Sequence, residues 1–193
     1  MPHPNLLLPL AAALVLAGCS FGPKTPPVLM RLTPDQARTA GASQTSSASQ
    51  ALTVVPPAVP EELRTARVPV RTGGTAVAYL KDAQWVESPG ALFARLIGET
   101  ISARSGRVVL DARQFTLDPG TRLTGTLHSF GIDADTSEAV VVYDAVLARG
   151  ADAIESRRFE ARVPMTAIDR ISAGPALNRA ANQVASEVAG WVG

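Results

Sequence analysis

Apolar positions along this 193-residue chain change period several times, and each change marks an element. Leu6–Ala17 is an uncharged run of twelve residues interrupted only by Pro9, shorter than the roughly 20 residues that a membrane-spanning helix needs. Val28–Leu32 (VLMRL) reads as a short strand. Leu52–Val55 reads as another, stopped by Pro56 and Pro57, which cannot donate to a ladder. Arg67–Arg71 and Thr75–Leu80 are the expected arms of a hairpin, with Gly73-Gly74 supplying the positive φ of a tight turn. The rhythm then becomes helical: Leu92, Phe93, Leu96, Ile97, Thr100 and Ile101 fall on one face. Ser88 is the expected N-cap, Pro89 suits the first turn and Gly106 is the expected stop.

Period two returns afterwards. RVVLD (107–111) is a short strand, and Thr121–Asp133 sets Leu123, Gly125 and Leu127 against Thr124, Thr126 and His128. Glu138–Arg149 and Glu155–Met165 follow, joined by a turn around Gly150. In the second of these, Phe159, Ala161 and Val163 oppose Arg158, Glu160 and Arg162, a half-buried antiparallel pattern. The chain closes with a helix whose expected first turn holds Pro175 and whose apolar face is Leu177, Ala181, Val184, Val188 and Trp191. Asp35–Gln50 is small, polar and aperiodic, and is expected to be a flexible loop. Strands, helix, strands, helix predict an α+β domain: a mixed, largely antiparallel sheet with two main helices packed on one face.

Composition narrows the function classes. A net charge of +1 with five Phe, two Trp and two Tyr lacks the basic stripe and stacking residues of a nucleic-acid binder. The single cysteine, Cys19, stands at a border rather than inside a periodic element. An apolar run of this length ending in small residues fits the hydrophobic region of a secretory signal. Removing residues 1–18 leaves 175 residues, enough for one domain with a real core.

Leu16-Ala17-Gly18-Cys19 resembles the lipobox of bacterial lipoproteins. The resemblance implies diacylglyceryl modification of the Cys19 thiol, cleavage before it and acylation of the new amine. Several acyl chains, each CH₂ worth about 0.8 kcal/mol when buried, make a durable membrane anchor. The expected organisation is a signal peptide over 1–18, a lipidated tether over 19–27 stiffened by Pro23, Pro26 and Pro27, and one domain over 28–193. Ser20 after the cysteine, rather than Asp, favours the outer membrane by resemblance to enteric sorting rules.

Beyond the lipobox, "VVPPAVPEEL", "VAYLKDAQWVESPGALFARLIGETI", "RLTGTLHSFGID" and an Ala-rich terminal helix ending near Trp191 are similar to the ABC-type transport auxiliary lipoproteins. Tyr79–Leu96, with Trp85 before a proline-led helix, is the most specific part. The resemblance implies a non-catalytic subunit that needs no cofactor. Its implied partners are an inner-membrane ABC transporter (permease and ATPase) and a mammalian-cell-entry (MCE) domain protein that spans the periplasm as a lipid conduit. The lipoprotein would dock that conduit at the outer-membrane end, and a homo-oligomeric ring is left open.

Candidate contact residues come from the residues themselves. Trp85 is either a docking aromatic or a cap on the core between hairpin and helix. Val140, Val142 and Val146 share a strand face with Asp144, while Val141, Tyr143, Ala145 and Leu147 share the other. A strand apolar on both faces is either covered twice or lends one side to a partner. His128 lies on a polar strand face, and Arg157, Arg158 and Arg162 on a strand face that is either solvated or meets lipid head groups. Asp133, Asp135 and Glu138 crowd a turn but lack the loop of a known cation site, and read as a solvated hairpin tip. A periplasmic hydrolase is the contrasting hypothesis, disfavoured because no G-x-S-x-G elbow occurs and only His128 could serve a triad. A third is a structural or assembly lipoprotein of the envelope unrelated to MCE transport.

Overall fold

The computed structural model describes residues 28–47, 51–111, 120–150 and 153–193. Seven strands form one mixed, curled sheet: β1 (Leu52–Val54), β2 (Arg67–Thr72), β3 (Ala76–Gln84), β4 (Val109–Asp111), β5 (Thr121–Asp133), β6 (Glu138–Arg149) and β7 (Ala153–Pro164). Two helices, α1 (Pro89–Ser105) and α2 (Arg170–Val192), complete an α+β half-barrel.

The long strand β5 organises the sheet. One edge pairs with β6 over nearly its full length, and β6 pairs in turn with β7, both antiparallel. Its other edge is shared: β1 runs parallel to its first half through Thr53↔Arg122, and β2 parallel to its end through Val70↔Ile132. The hairpin β2–β3 and the parallel pair β1–β4 therefore splay from the same strand, and the sheet curls. Pro56 and Pro57 end β1, but the chain keeps to β5, since Ala58 N–H donates to the Gly125 carbonyl at 2.9 Å.

Both helices pack on the inner face of this half-barrel. The alternate residues Val141, Tyr143, Ala145 and Leu147 of β6 point inward and are buried. A chain of edge-to-face aromatic contacts runs beneath α1: Trp85–Phe130 at 5.4 Å, Phe93–Phe130 at 6.2 Å and Phe93–Tyr143 at 5.2 Å between centroids. On α2, buried Ala173, Ala176, Ala180, Ala181, Ala185 and Ala189 bring the helix axis close to its neighbours.

The helix α1 begins at the expected Pro89 and stops where Gly106 takes a left-handed φ of 69°. Ser88 holds the N-cap position without a side-chain capping bond; its carbonyl accepts from Ala91 and Leu92. Two expectations are corrected. Val28–Leu32 is not a strand: only Met30 makes a β-bridge, to Trp85, through backbone bonds with Gln84 and Val86, because from Thr33 on the backbone is bonded by the α2 side chains Asn178 and Asn182 instead of a strand. The closing helix starts at Arg170, five residues before Pro175, because Asp169 caps it by accepting from Ser172 N–H at 2.8 Å. Pro175 forgoes one backbone bond there, to the carbonyl of solvent-exposed Ile171.

Residues 35–47 form no helix or strand, yet they are tied to the domain at several points. Asp35 N–H donates to Asn182, Gln44 and Ser102 exchange two hydrogen bonds of 2.7 and 2.8 Å, and Ser46 Oγ accepts from Val108 N–H. At the far end of α2, Arg149 and Arg107 donate to the carbonyls of Val192 and Gly193, placing cations where the helix dipole is negative.

Candidate docking face

The outer face of the sheet, opposite the helices, is built by β5, β6 and β7. Along β6 the residues Val140, Val142, Asp144 and Val146 point outward in sequence, as period two requires. Cross-strand register sets their neighbours: Gly131 and Arg162 beside Val140, Ser129 and Glu160 beside Val142, Thr124 and Ser156 beside Val146. The result is a line of valines one strand wide, broken by Asp144 between Val142 and Val146 and flanked by two more polar strands. Val142 and Val146 are half-buried, while Val140 is 7% exposed.

A β-bulge shapes the upper part of this face. Leu127 pairs with Tyr143 and Ser129 with Val142, so His128 is the extra residue. The slip transfers the inward set of β5 from Leu123 and Leu127 to Phe130 and Ile132. Arg71 of β2 holds the bulge. Its guanidinium donates to the His128 carbonyl at 2.9 Å and to Ser129 Oγ at 2.6 Å, and is itself paired with Glu62. Beside it lies a cleft of about 80 Å³, lined by Pro69, Arg71, Phe130, Val140, Val142 and Arg162 among others.

The charges bordering the strip are paired to one another. Arg158 meets Asp144 through two bonds of 2.6 and 2.7 Å, a bidentate fork. His128 Nε2 lies 2.9 Å from Asp144 Oδ2. The bonds from Arg158, with a smaller contribution from His128, hold the Asp144 carboxyl down to about 2. Arg162 bonds Glu160 at 2.6 Å and reaches Asp133 and Glu138 at 3.4 and 3.3 Å. The remaining turn acid, Asp135, accepts from Gly73 N–H and Thr72 Oγ1 and thereby staples the two hairpin tips together. The turn carboxylates are thus committed to protein donors. Among the described residues, no group of His, Cys, Asp and Glu is placed to hold a metal.

The sequence-derived candidates therefore separate. Val140, Val142 and Val146 stand together on the outer face. Trp85 is elsewhere: its ring is 1% exposed, packed on Phe130 in the core, and presents no surface to a partner in this conformation. Its indole N–H and Thr53 Oγ1 are buried without a partner. Cys19, with the whole of residues 1–27, lies outside the described residues. Of the three candidate arginines, Arg158 and Arg162 are ion-paired, and Arg157 lies over the Phe159 ring at 5.2 Å. Sequence reasoning missed Arg71 and Ser129. The available signal was the slip in apolar phase between Leu127 and Phe130, which marks a bulge needing support.

These features define a class: a lone curled α+β half-barrel with two helices inside and an apolar, ion-bordered strip outside. A family model described as ABC-type transport auxiliary lipoprotein component matches residues 31–189, and the chain belongs to that family. Membership makes it a lipoprotein associated with a transport system, of a kind tethered to a membrane of the cell envelope. Among solved structures, a Xanthomonas campestris protein of the DUF330 family is similar at 20% identity, over 86% of this chain and 94% of that one, with a TM-score of 0.70. Another, described as an uncharacterized protein, is similar at 16% identity, over 78% and 97%, with a TM-score of 0.66. At such identities the likeness is one of fold. No curated protein matches the chain in sequence. No helix among the described residues is long and apolar enough to cross a membrane.

Proposed function

We propose that this lipoprotein is a non-catalytic accessory subunit of an ABC transport system that moves lipid between membranes with an MCE-domain component. In this reading Cys19 is acylated and anchors the domain to the periplasmic leaflet of the outer membrane, after cleavage of residues 1–18. The outer sheet face docks the periplasm-spanning component. The observation that carries the docking role is the outward line of Val140, Val142 and Val146, of which Val142 and Val146 are left half-open on a strand whose inward residues Ala139, Val141, Tyr143, Ala145 and Leu147 are buried. Its flanking charges are already paired, so a partner can cover the valines without stranding an ion in a dry interface. The family supplies the association with an ABC system, and a tethered receiver gives a shielded lipid path a fixed end.

The test is photo-crosslinking in intact envelopes from a reactive amino acid placed at Val142, with identification of what is captured. Capture of an MCE-domain or ABC component supports the reading. Capture of neither, together with unchanged detergent permeability after deletion of the gene, removes the transport role. Mass spectrometry of the mature N-terminus separately decides whether Cys19 carries acyl chains.

A further inference from the structure

The five most open apolar residues on the α2 N-terminal flank gather where the chain enters the domain. Val28, Leu29 and Val86 are 52%, 40% and 49% exposed, and Ile168 and Ile171 are 38% and 75%. Three links place them together. Val86 N–H donates to the Met30 carbonyl at 2.9 Å, which sets Val86 beside Val28–Met30. The Met30 sulfur lies 3.4 Å from where a Cβ of Gly174 would stand, so this segment rests on the first turns of α2. Ile171 is one turn ahead of Gly174, and Ile168 immediately precedes the N-cap Asp169.

We propose that this patch is a lipid-contacting surface that seats the domain flat against the leaflet in which its acyl chains are buried. The inference rests on the acylation of Cys19 given above. Residues 19–27 then join the patch to the bilayer, and nine residues reach at most about 30 Å even when fully extended. Val28 is the first residue after that leash, so the patch is the part of the domain with least freedom to leave the surface. Isoleucine, valine and leucine side chains open to this degree gain by entering the interfacial region of a bilayer. Arg31 and Arg170 adjoin the patch and suit lipid phosphates. Of the nearby acids, Asp169 is engaged by Ser172 N–H and Glu87 by Arg95, and exposed Glu99 lines the same hollow as Arg31 and Val86.

The test uses the full acylated chain in vesicles of phosphatidylethanolamine and phosphatidylglycerol. One variant is Ile171→Cys carrying an environment-sensitive fluorophore. The other is Ile154→Cys, an equally exposed site beside the opposite end of α2, about 30 Å away. The expected result is several-fold stronger quenching by doxyl-labelled lipids at position 171 than at 154. Equal quenching, or none, in protein that still floats with the vesicles overturns the lipid contact and leaves the anchor standing. A blue-shifted probe at 171 that lipid quenchers do not reach means that protein covers the patch, and also overturns it. Failure of the chain to float sinks the acylation reading, and the proposal with it.

Discussion

Asn182 of α2 binds the backbone of Thr33 across 149 positions of sequence: its Nδ2 donates to the Thr33 carbonyl at 2.9 Å. The same side chain accepts from Asp35 N–H through Oδ1, and Asn178, one turn earlier, accepts from Thr33 N–H. A helix thus supplies the polar partners that a sheet would otherwise give to the entering chain. Asn182 is buried while Thr33 and Asp35 are exposed, so its removal loses two backbone bonds, each worth about 0.5–1.5 kcal/mol, rather than burying unpaired groups. Asn182→Ala is expected to cost about 1–3 kcal/mol by urea denaturation. A loss indistinguishable from wild type would mean that water replaces the amide and that the segment is not fixed by it.

Gly125 is required where it stands. Its φ of 153° disfavours a side chain, and a Cβ would lie 2.8 Å from the Tyr143 ring. That ring is immobile, since its hydroxyl donates to the Thr124 carbonyl at 2.7 Å. Gly125→Ala is expected to destabilise by more than about 2 kcal/mol, combining backbone strain with overpacking. Gly190, open on α2 with nothing near its Cβ position, is the control. Gly190→Ala is expected to be neutral or stabilising by up to about 1 kcal/mol. Equal unfolding midpoints for the two variants would contradict the packing described.

Trp85 makes a sharper test of core bookkeeping, because its indole N–H is buried without a partner. Trp85→Phe loses volume but removes that stranded donor, and is expected to cost only about 1–2 kcal/mol. Trp85→Ala leaves a cavity against Phe130 and is expected to cost about 3–5 kcal/mol. Comparable losses for the two, measured by chemical denaturation, would show that the N–H has found a partner.

The carboxyl of Asp144, held near 2 by Arg158 first and His128 second, gives a pH signature. Because its folded value lies below the ordinary 3.8, its contribution is fully present above 3.8. It is lost as pH falls through about 2. The side chain is 36% exposed, so solvent screens the pair and the effect is small. The expected outcome is that the stability gap between wild type and Asp144→Asn narrows as pH is lowered from 5 to 2. A gap constant over that window would show that the fork with Arg158 does not form in solution.

What the sequence disclosed follows from which signals are local. The hairpin β2–β3 with Gly73-Gly74 at positive φ, and α1 between Pro89 and Gly106, are written in adjacent residues and emerge where expected, although β3 runs on past Leu80 to Gln84. Val28–Leu32 has the composition of a strand, but only Met30 finds backbone partners, at Gln84 and Val86, and the next residue, Thr33, is bound by two asparagines near the other end of the chain, beyond the reach of periodicity. Pro175 reads locally as a helix start, whereas the decisive cap is the Asp169 side chain, which accepts from Ser172 N–H. The valine strip was legible as alternation within β6. Arg71, which braces the bulge beside that strip, was not, because it acts on residues 57 and 58 positions away.

The docking role of the strip yields the most discriminating substitution. Val142 faces outward between Ser129 and Glu160, half-buried, with room beside the cleft. Val142→Arg keeps the inward face of β6 intact, so the fold is expected to survive with a loss below about 1 kcal/mol. An added cation at the centre of a contact surface goes unpaired when a partner covers it, and leaving a charge buried without a partner costs about 3–5 kcal/mol. Crosslinking to the transport partner is therefore expected to fall by at least tenfold, while circular dichroism and membrane fractionation remain as in wild type. Val142→Ile, which keeps the surface apolar, is expected to retain capture. Retention of capture by the arginine variant, with its fold intact, would move the docking site off this face of the sheet.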